Sequence, residues 1–164
     1  MLKTTYLARF NEDYEKYSKL LFGVAVHILM SAQEAEDVVQ EVFIKYAEEI
    51  DKVENAKFWL VRTTSNKSID RYRRQKTFQN YAGKVFDEVT RPFATISTKT
   101  SIKKELRSVL EKFDEKERTL LTLKFGYEMQ YDEISKILEI PEGTIKSSIS
   151  RILKRLGDAR GEEP

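Results

Sequence analysis

Apolar residues recur with the three-to-four spacing of α-helices through most of this chain, and nowhere with the alternation of a half-buried strand. Phe10, Tyr14, Tyr17, Leu21, Val24 and Ile28 make the stripe of a first helix that closes near Met30. Ser31-Ala32-Gln33-Glu34 has the spacing of a capping box and opens a second helix. Its broad apolar face carries Ala35, Val38, Val39, Val42, Phe43, Tyr46, Ala47 and Ile50. Asn55 is placed to cap a third, in which Phe58, Val61, Ile69 and Tyr72 point one way. From Thr77 to Thr100 neither period holds, and Gly83, Arg91-Pro92 and the hydroxyl-rich run Thr95 to Ser101 break regular structure. A linker with no more than a helical turn near Tyr81 is expected there. Leu106, Val109, Leu110 and Phe113 restart the helical stripe, and Asp114 with Glu117 forms another capping box. Leu120, Leu121, Leu123 and Phe125 pack the helix that follows, with Gly126 ending it. Tyr131 to Leu138 is then a short amphipathic helix, Ile140-Pro141-Glu142-Gly143 a turn, and Thr144 to Leu156 a last helix sealed by Ile145, Ile149, Ile152, Leu153 and Leu156. The pattern predicts an all-α fold of two small helical domains, residues 1–76 and 101–164, joined by a flexible linker over 77–100. The C-terminal domain is a helix-turn-helix.

Composition fits two thin cores better than one large one, because only 40% of the 164 residues are apolar while 34% are charged. The chain has no cysteine, which excludes disulfides, thiolate chemistry and cysteine-based zinc sites. The single histidine, His27, lies among Val24, Ala25, Val26 and Ile28 and reads as a core or boundary residue rather than a ligand or base. No metal and no cofactor are expected. The last four residues, Gly161 to Pro164, read as a tail with no sensory extension. No apolar run approaches the ~20 residues of a membrane span, and the N-terminus lacks a signal-peptide core. A cytoplasmic protein with no membrane insertion is the expectation.

Charge changes the picture more. The formal +2 hides a segment, residues 62–76, with Arg62, Lys67, Arg71, Arg73, Arg74 and Lys76 against Asp70 alone. It also hides an opposite one, residues 31–54, with eight acidic side chains against Lys45 and Lys52. Segregation of this kind points to one polyanionic partner and one basic partner. In the last helix Gly143, Ser147, Ser150, Arg151 and Lys154 fall opposite the sealed face, flanked by Thr144, Lys146 and Arg155, and residues 144–157 hold no acidic side chain. Small hydroxyls near the helix start and cations further along suit base edges and phosphates of a duplex. The bland alternative is a solvated basic face. On the third helix, Phe58-Trp59-Leu60 and the arginine-rich end combine rings with cations, as single-stranded nucleic acid binding requires. There the alternative is that Trp59 belongs to the core and the cations complement the helix C-terminus.

Three motifs in order, Ala35-Glu36-Asp37-Val38-Val39-Gln40-Glu41-Val42-Phe43, Trp59-Leu60 with Asn66 and Asp70 before an arginine-rich end, and Glu133-Ile134-Ser135 to Gly143-Thr144-Ile145-Lys146-Ser147, resemble extracytoplasmic-function sigma factors, the two-domain group of the main bacterial sigma family. The resemblance covers residues 8–157, the middle matching only as a linker. It implies that the acidic helix, through Glu34, Asp37, Gln40 and Glu41, binds a basic coiled coil on the clamp of core RNA polymerase. It also implies that the loop Asp51 to Asn55 and the third helix capture flipped-out bases of the promoter minus-ten element. That role falls to Asn55, Trp59, Asn66 and Asp70, with Arg62, Lys67, Arg71, Arg73 and Arg74 on the backbone. The last helix would read the minus-thirty-five element in the major groove, and an anti-sigma factor is expected as a further partner. This chain departs from the family pattern at Thr64-Ser65, at Ser148 where an arginine is common, and at Gln130 where serine often caps.

Two other classes compete. An operator-binding regulator would share the helix-turn-helix, but the acidic helix followed by an aromatic and basic one favours an initiation subunit. A metal-dependent nuclease using Glu34, Asp37 and Glu41 would need a converging His, Lys or second carboxylate motif, which the sequence lacks. The reading is a non-enzymatic, dissociable subunit that brings core polymerase to promoters.

Overall fold

A computed structural model describes residues 2–79 and 108–160, and every regular element in them is helical. The linker proper, Leu106 and the tail from Gly161 lie outside the described residues. Helix α1 spans Leu2–Leu29, α2 Ala32–Glu49 and α3 Ala56–Gln79. After a helical turn at residues 108–111 come α4 (Glu115–Leu121), α5 (Tyr131–Leu138) and α6 (Glu142–Arg160). Thus α3 continues past Lys76 into the stretch expected to be linker.

Local signals mostly hold. The Ser31 hydroxyl accepts from the Glu34 amide at 3.3 Å, while the Glu34 carboxylate pairs with Arg71 at 3.2 Å. At Asp114 and Glu117 both halves of the capping box form. Asn55 caps α3, its side-chain oxygen accepting from the Phe58 amide at 3.0 Å.

Three boundaries differ from the sequence expectation. Past Leu121 the helix widens into a π-turn over Thr122–Gly126, closed by a bond from the Tyr127 amide to the Thr122 carbonyl. That inserted residue shifts the helical phase, so Phe125 is 53% exposed instead of packed. Gly126 is not left-handed; Glu128 takes the positive φ two residues later. The last helix starts at Glu142, inside the expected turn Ile140 to Gly143, and the left-handed residue before it is Glu139 (φ 56°). On α6, Leu153 is 46% exposed, because Ile145, Ile149 and Ile152 alone fill the buried stripe.

The two domains do not stand apart. Buried residues of α1, α2 and α3 and those of α4, α5 and α6 form one continuous apolar cluster. α1 is enclosed near its C-terminus, with Leu21, Val24, Ala25, Val26, Ile28 and Leu29 all buried. A helix apolar all round needs neighbours on several sides, and the second domain supplies one of them.

Candidate nucleic-acid interface

Start with the loop before α3. Arg9 reaches from α1 to donate to the Ile50 carbonyl at 3.0 Å and the Val53 carbonyl at 2.6 Å. Val53 is buried, so the loop is fixed by an apolar anchor and a charged donor. Asp13, one turn along α1, accepts from the Tyr46 hydroxyl at 2.5 Å. Burial, then the hydrogen bond and charge of Asp13, push the Tyr46 hydroxyl well above the usual phenol range. Its ring lies 5.6 Å from that of Trp59, which is half-buried. Trp59 is therefore partly core and partly available, between its two readings. Arg9 escaped the sequence reading because nothing local marks a residue whose acceptors lie over forty positions away.

Along α3, Asn66, Asp70, Arg73 and Arg74 are exposed, while Arg62, Lys67 and Arg71 are half-buried and engaged. Arg71 pairs with Glu34 and, at 2.5 Å, with Glu41; Lys67 pairs with Glu41 at 3.1 Å. Partial burial pushes the Glu41 carboxyl up, but hydrogen bonds and charge from Lys67 and Arg71 outweigh it and hold it below the ordinary value. Hence the two acidic residues expected to dock polymerase are tied to two of the cations expected to hold DNA. Arg73 bonds Glu115 of α4 at 2.5 Å, which raises the guanidinium further.

On α2, Asp37 and Gln40 are exposed and free to meet a partner's surface. They share a helical face with Glu41 and Ile44, at spacings of three, four and seven residues. Ile44, 63% exposed, was missed: its period places it on the polar stripe, where an apolar side chain is itself the signal.

On α6 all six expected contact residues, Thr144, Lys146, Ser147, Ser150, Arg151 and Lys154, are exposed. Ser147 returns its hydroxyl to the Gly143 carbonyl at 2.9 Å, and Lys146 pairs with Glu142 one turn back at 3.1 Å. Arg155 is different. It pairs with Glu117 at 2.6 Å, donates to the Lys112 carbonyl and stacks on Phe113, so it clamps α6 to the start of α4. Among the described residues no group of His, Cys, Asp and Glu could hold a metal ion, and no helix is long and apolar enough to cross a membrane.

This assembly has known counterparts. Residues 13–78 match the family model described as Sigma-70 region 2, and residues 103–156 match Sigma-70, region 4. The chain is 32% identical to the ECF RNA polymerase sigma factor SigW of Bacillus subtilis, covering 87% of this chain and 83% of the relative. It is 26% identical to SigM of the same organism, covering 89% and 91%. In fold it resembles the sigma factor RpoE of Bartonella quintana, solved with the anti-sigma factor NepR, with a TM-score of 0.71 at 21% identity over 95% of this chain and 99% of that one. An acidic helix, a ring-and-cation helix and a helix-turn-helix, in this order and matched over both regions, place the chain among the extracytoplasmic-function (ECF) RNA polymerase sigma factors.

Proposed function

We propose that this sigma factor divides its work between the domains, residues 1–76 and 101–164, and that it acts in the cytoplasm without catalysing a reaction itself. The exposed basic face of α6, with its six contact residues clear of the core, is the observation that carries this reading. That helix enters the major groove at the minus-thirty-five element, its hydroxyls toward base edges and Arg151 and Lys154 toward phosphate. Asn55, Trp59, Asn66 and Asp70 then take unstacked minus-ten bases as the duplex opens, with the α3 cations on the backbone. Flipping costs a few kcal/mol per base, so capture selects sequences whose bases fit. Polymerase performs the chemistry.

Core polymerase docks on α2 through Asp37, Gln40, Glu34 and Glu41, around Ile44. Because Glu41 also holds Lys67 and Arg71, Asp37→Lys is a cleaner test of docking than any change at Glu41. The likeness to a sigma factor solved with its anti-sigma factor supports a partner of that kind for this chain too. In vitro transcription with core polymerase and a genomic library, followed by start-site mapping, tests the whole reading. A discrete set of start sites that vanishes with Asp37→Lys is expected. A protein that protects a palindrome without polymerase, and directs no start site, would be an operator-binding regulator instead.

A further inference from the structure

Helices α1 and α2 run antiparallel, and the bonds between them set their register. Asp13 accepts from Tyr46, while Arg9, one turn earlier on α1, donates to Ile50, one turn later on the chain of α2. α2 ends at Glu49, so the turns of α1 that precede Arg9 stand beyond it, alongside the loop that leads into α3. The bond from Arg9 to the Val53 carbonyl holds loop and helix together there. Tyr6 lies two turns before Asp13, on the same face of α1, and is therefore turned toward the loop.

This arm, Leu2 to Ala8, has the chemistry of the α3 surface. Residues 3–8 are all exposed, with Tyr6 at 37%. Lys3 and Arg9 are the charges of the first eleven residues, and no acidic side chain precedes Glu12. Tyr6 comes one turn before Phe10, whose ring lies 6.3 Å from that of Tyr46, and Tyr46 lies 5.6 Å from Trp59. A row of rings thus runs from the start of α3 across to α1, and Tyr6 extends it past the loop. Asp51 and Glu54 of the loop are exposed. Those carboxylates repel phosphate, so a strand whose bases enter the loop must carry its backbone along other cations. Arg9 is engaged by the loop carbonyls, and Lys3, one turn beyond Tyr6, stands clear of them.

We propose that the N-terminal arm of α1 is a further single-strand site, in which Tyr6 stacks on the base next to those captured by the loop and Lys3 holds its phosphate. The inference rests on the minus-ten reading above. α3 leads in sequence to the domain assigned the upstream element, so the start of α3, with the loop and the arm, faces the transcription start. The ligand is therefore the unpaired strand that continues from the minus-ten element toward the start site. Ring faces are common to all bases, so the contact extends the grip on the open strand with little choice of sequence.

The test assembles the full chain with core polymerase and uses two labelled oligonucleotides, the minus-ten strand of a mapped promoter and the same strand extended by a few nucleotides toward the start site. Polymerase itself contributes to the gain from the extension, so the comparison is between variants. Tyr6→Ala should lose about fivefold or more of that gain, the lower end for one stacked base, while binding the short strand as wild type does. Tyr6→Phe keeps the ring and should keep the gain. Lys3→Gln should lower the salt dependence on the extended strand by a slope of about 0.7, that of one phosphate contact, and leave the short strand unaffected. An equal gain in Tyr6→Ala, or a gain lost in Tyr6→Phe, overturns the inference. So does an equal loss on both strands, which would make Tyr6 a prop for the loop. An unchanged salt slope overturns the role of Lys3. Should the wild-type assembly fail to bind even the short strand, the minus-ten reading falls and this inference with it, whereas a failure confined to the extension leaves that reading standing.

Discussion

Replacing Arg9 by methionine isolates what fixes the loop before α3, because the new side chain keeps the apolar stem and loses only the guanidinium. Two charge-assisted bonds disappear, those to the Ile50 and Val53 carbonyls, together with the long ion pair to Asp13 at 3.7 Å. Such bonds are worth ~1.5–3 kcal/mol each when shielded. The Arg9 side chain is 37% exposed, so water replaces part of the loss, and a total of about 1–3 kcal/mol is the reasonable expectation. At ~2–4 °C per kcal/mol for a chain of this size, the midpoint should fall by roughly 2–12 °C. Function should split more sharply than stability. Under the proposed function Arg9 would act on the promoter only through the loop, so open-complex formation, read by permanganate reactivity, should weaken while binding of an isolated minus-thirty-five duplex stays as in wild type. Lysine at the same position keeps the charge but not the two-pronged geometry, and should rescue only part of the defect. A methionine variant with wild-type melting and wild-type bubble reactivity would show that the loop is held by Val53 alone.

Three further outcomes follow from single features of the fold. The Ser65 hydroxyl is fully buried and meets no hydrogen-bond partner among the described residues, so Ser65→Ala should raise stability by about 1 kcal/mol; a lower urea midpoint would contradict this. Burial holds the His27 imidazole below its ordinary value, so the unfolded chain takes up its proton first as pH falls. Stability from that residue is complete above about pH 6.5 and declines below it, and His27→Gln should flatten the fall between pH 7.5 and 5.5 in urea titrations; an unchanged slope would refute the assignment. Asp114→Ala removes the side-chain acceptor of the complete capping box, so the Glu117 amide loses its partner while the residue-114 amide keeps the Glu117 carboxylate; it should cost ~0.5–2 kcal/mol, measurable as loss of α4 helicity and of midpoint.

Sequence carried the local features because their physics is local. The three cap sites, the helical periods and the exposed face of α6 involve partners within a few residues, where spacing alone decides which side chains meet. What it could not carry is everything set by the second domain lying against the first. Arg118 reads as one more cation beside Glu117, and the π-turn that follows α4 is what sets Leu123, rather than Phe125, beside the buried Arg118, Thr119 and Leu120. A hint was present in α1. From Leu20 to Met30 only Gly23 and His27 interrupt the apolar run, which is too wide for a stripe facing two neighbours and implied a third. Arg62 shows the converse: the sequence marks it correctly as a cation seeking acceptors, but not that helix carbonyls compete with phosphate for it.

That competition gives the charge pattern a rationale. A cation reserved for phosphate but left bare would draw the free protein onto any nucleic acid, since non-specific binding is almost wholly electrostatic. Here Lys67 and Arg71 lean on Glu41, and Arg62 on the α5 carbonyls, through bonds that remain partly open to solvent. Exposed pairs of this kind are worth ~0–1 kcal/mol, weak enough to be exchanged for phosphate contacts or for a basic surface approaching α2. Occupying Glu34 and Glu41 from the polymerase side would release Lys67 and Arg71 on the DNA side, so the two binding events favour each other, and by linkage to the same extent in either order. Arg118 cannot be traded this way. Sealed from water and held by carbonyls and a ring, it resists surface exchange, which separates the closing of the domains from the easily displaced pairs on their faces. Salt discriminates between the two: raising it should loosen the Glu41 pairs long before it opens the seam at Arg118.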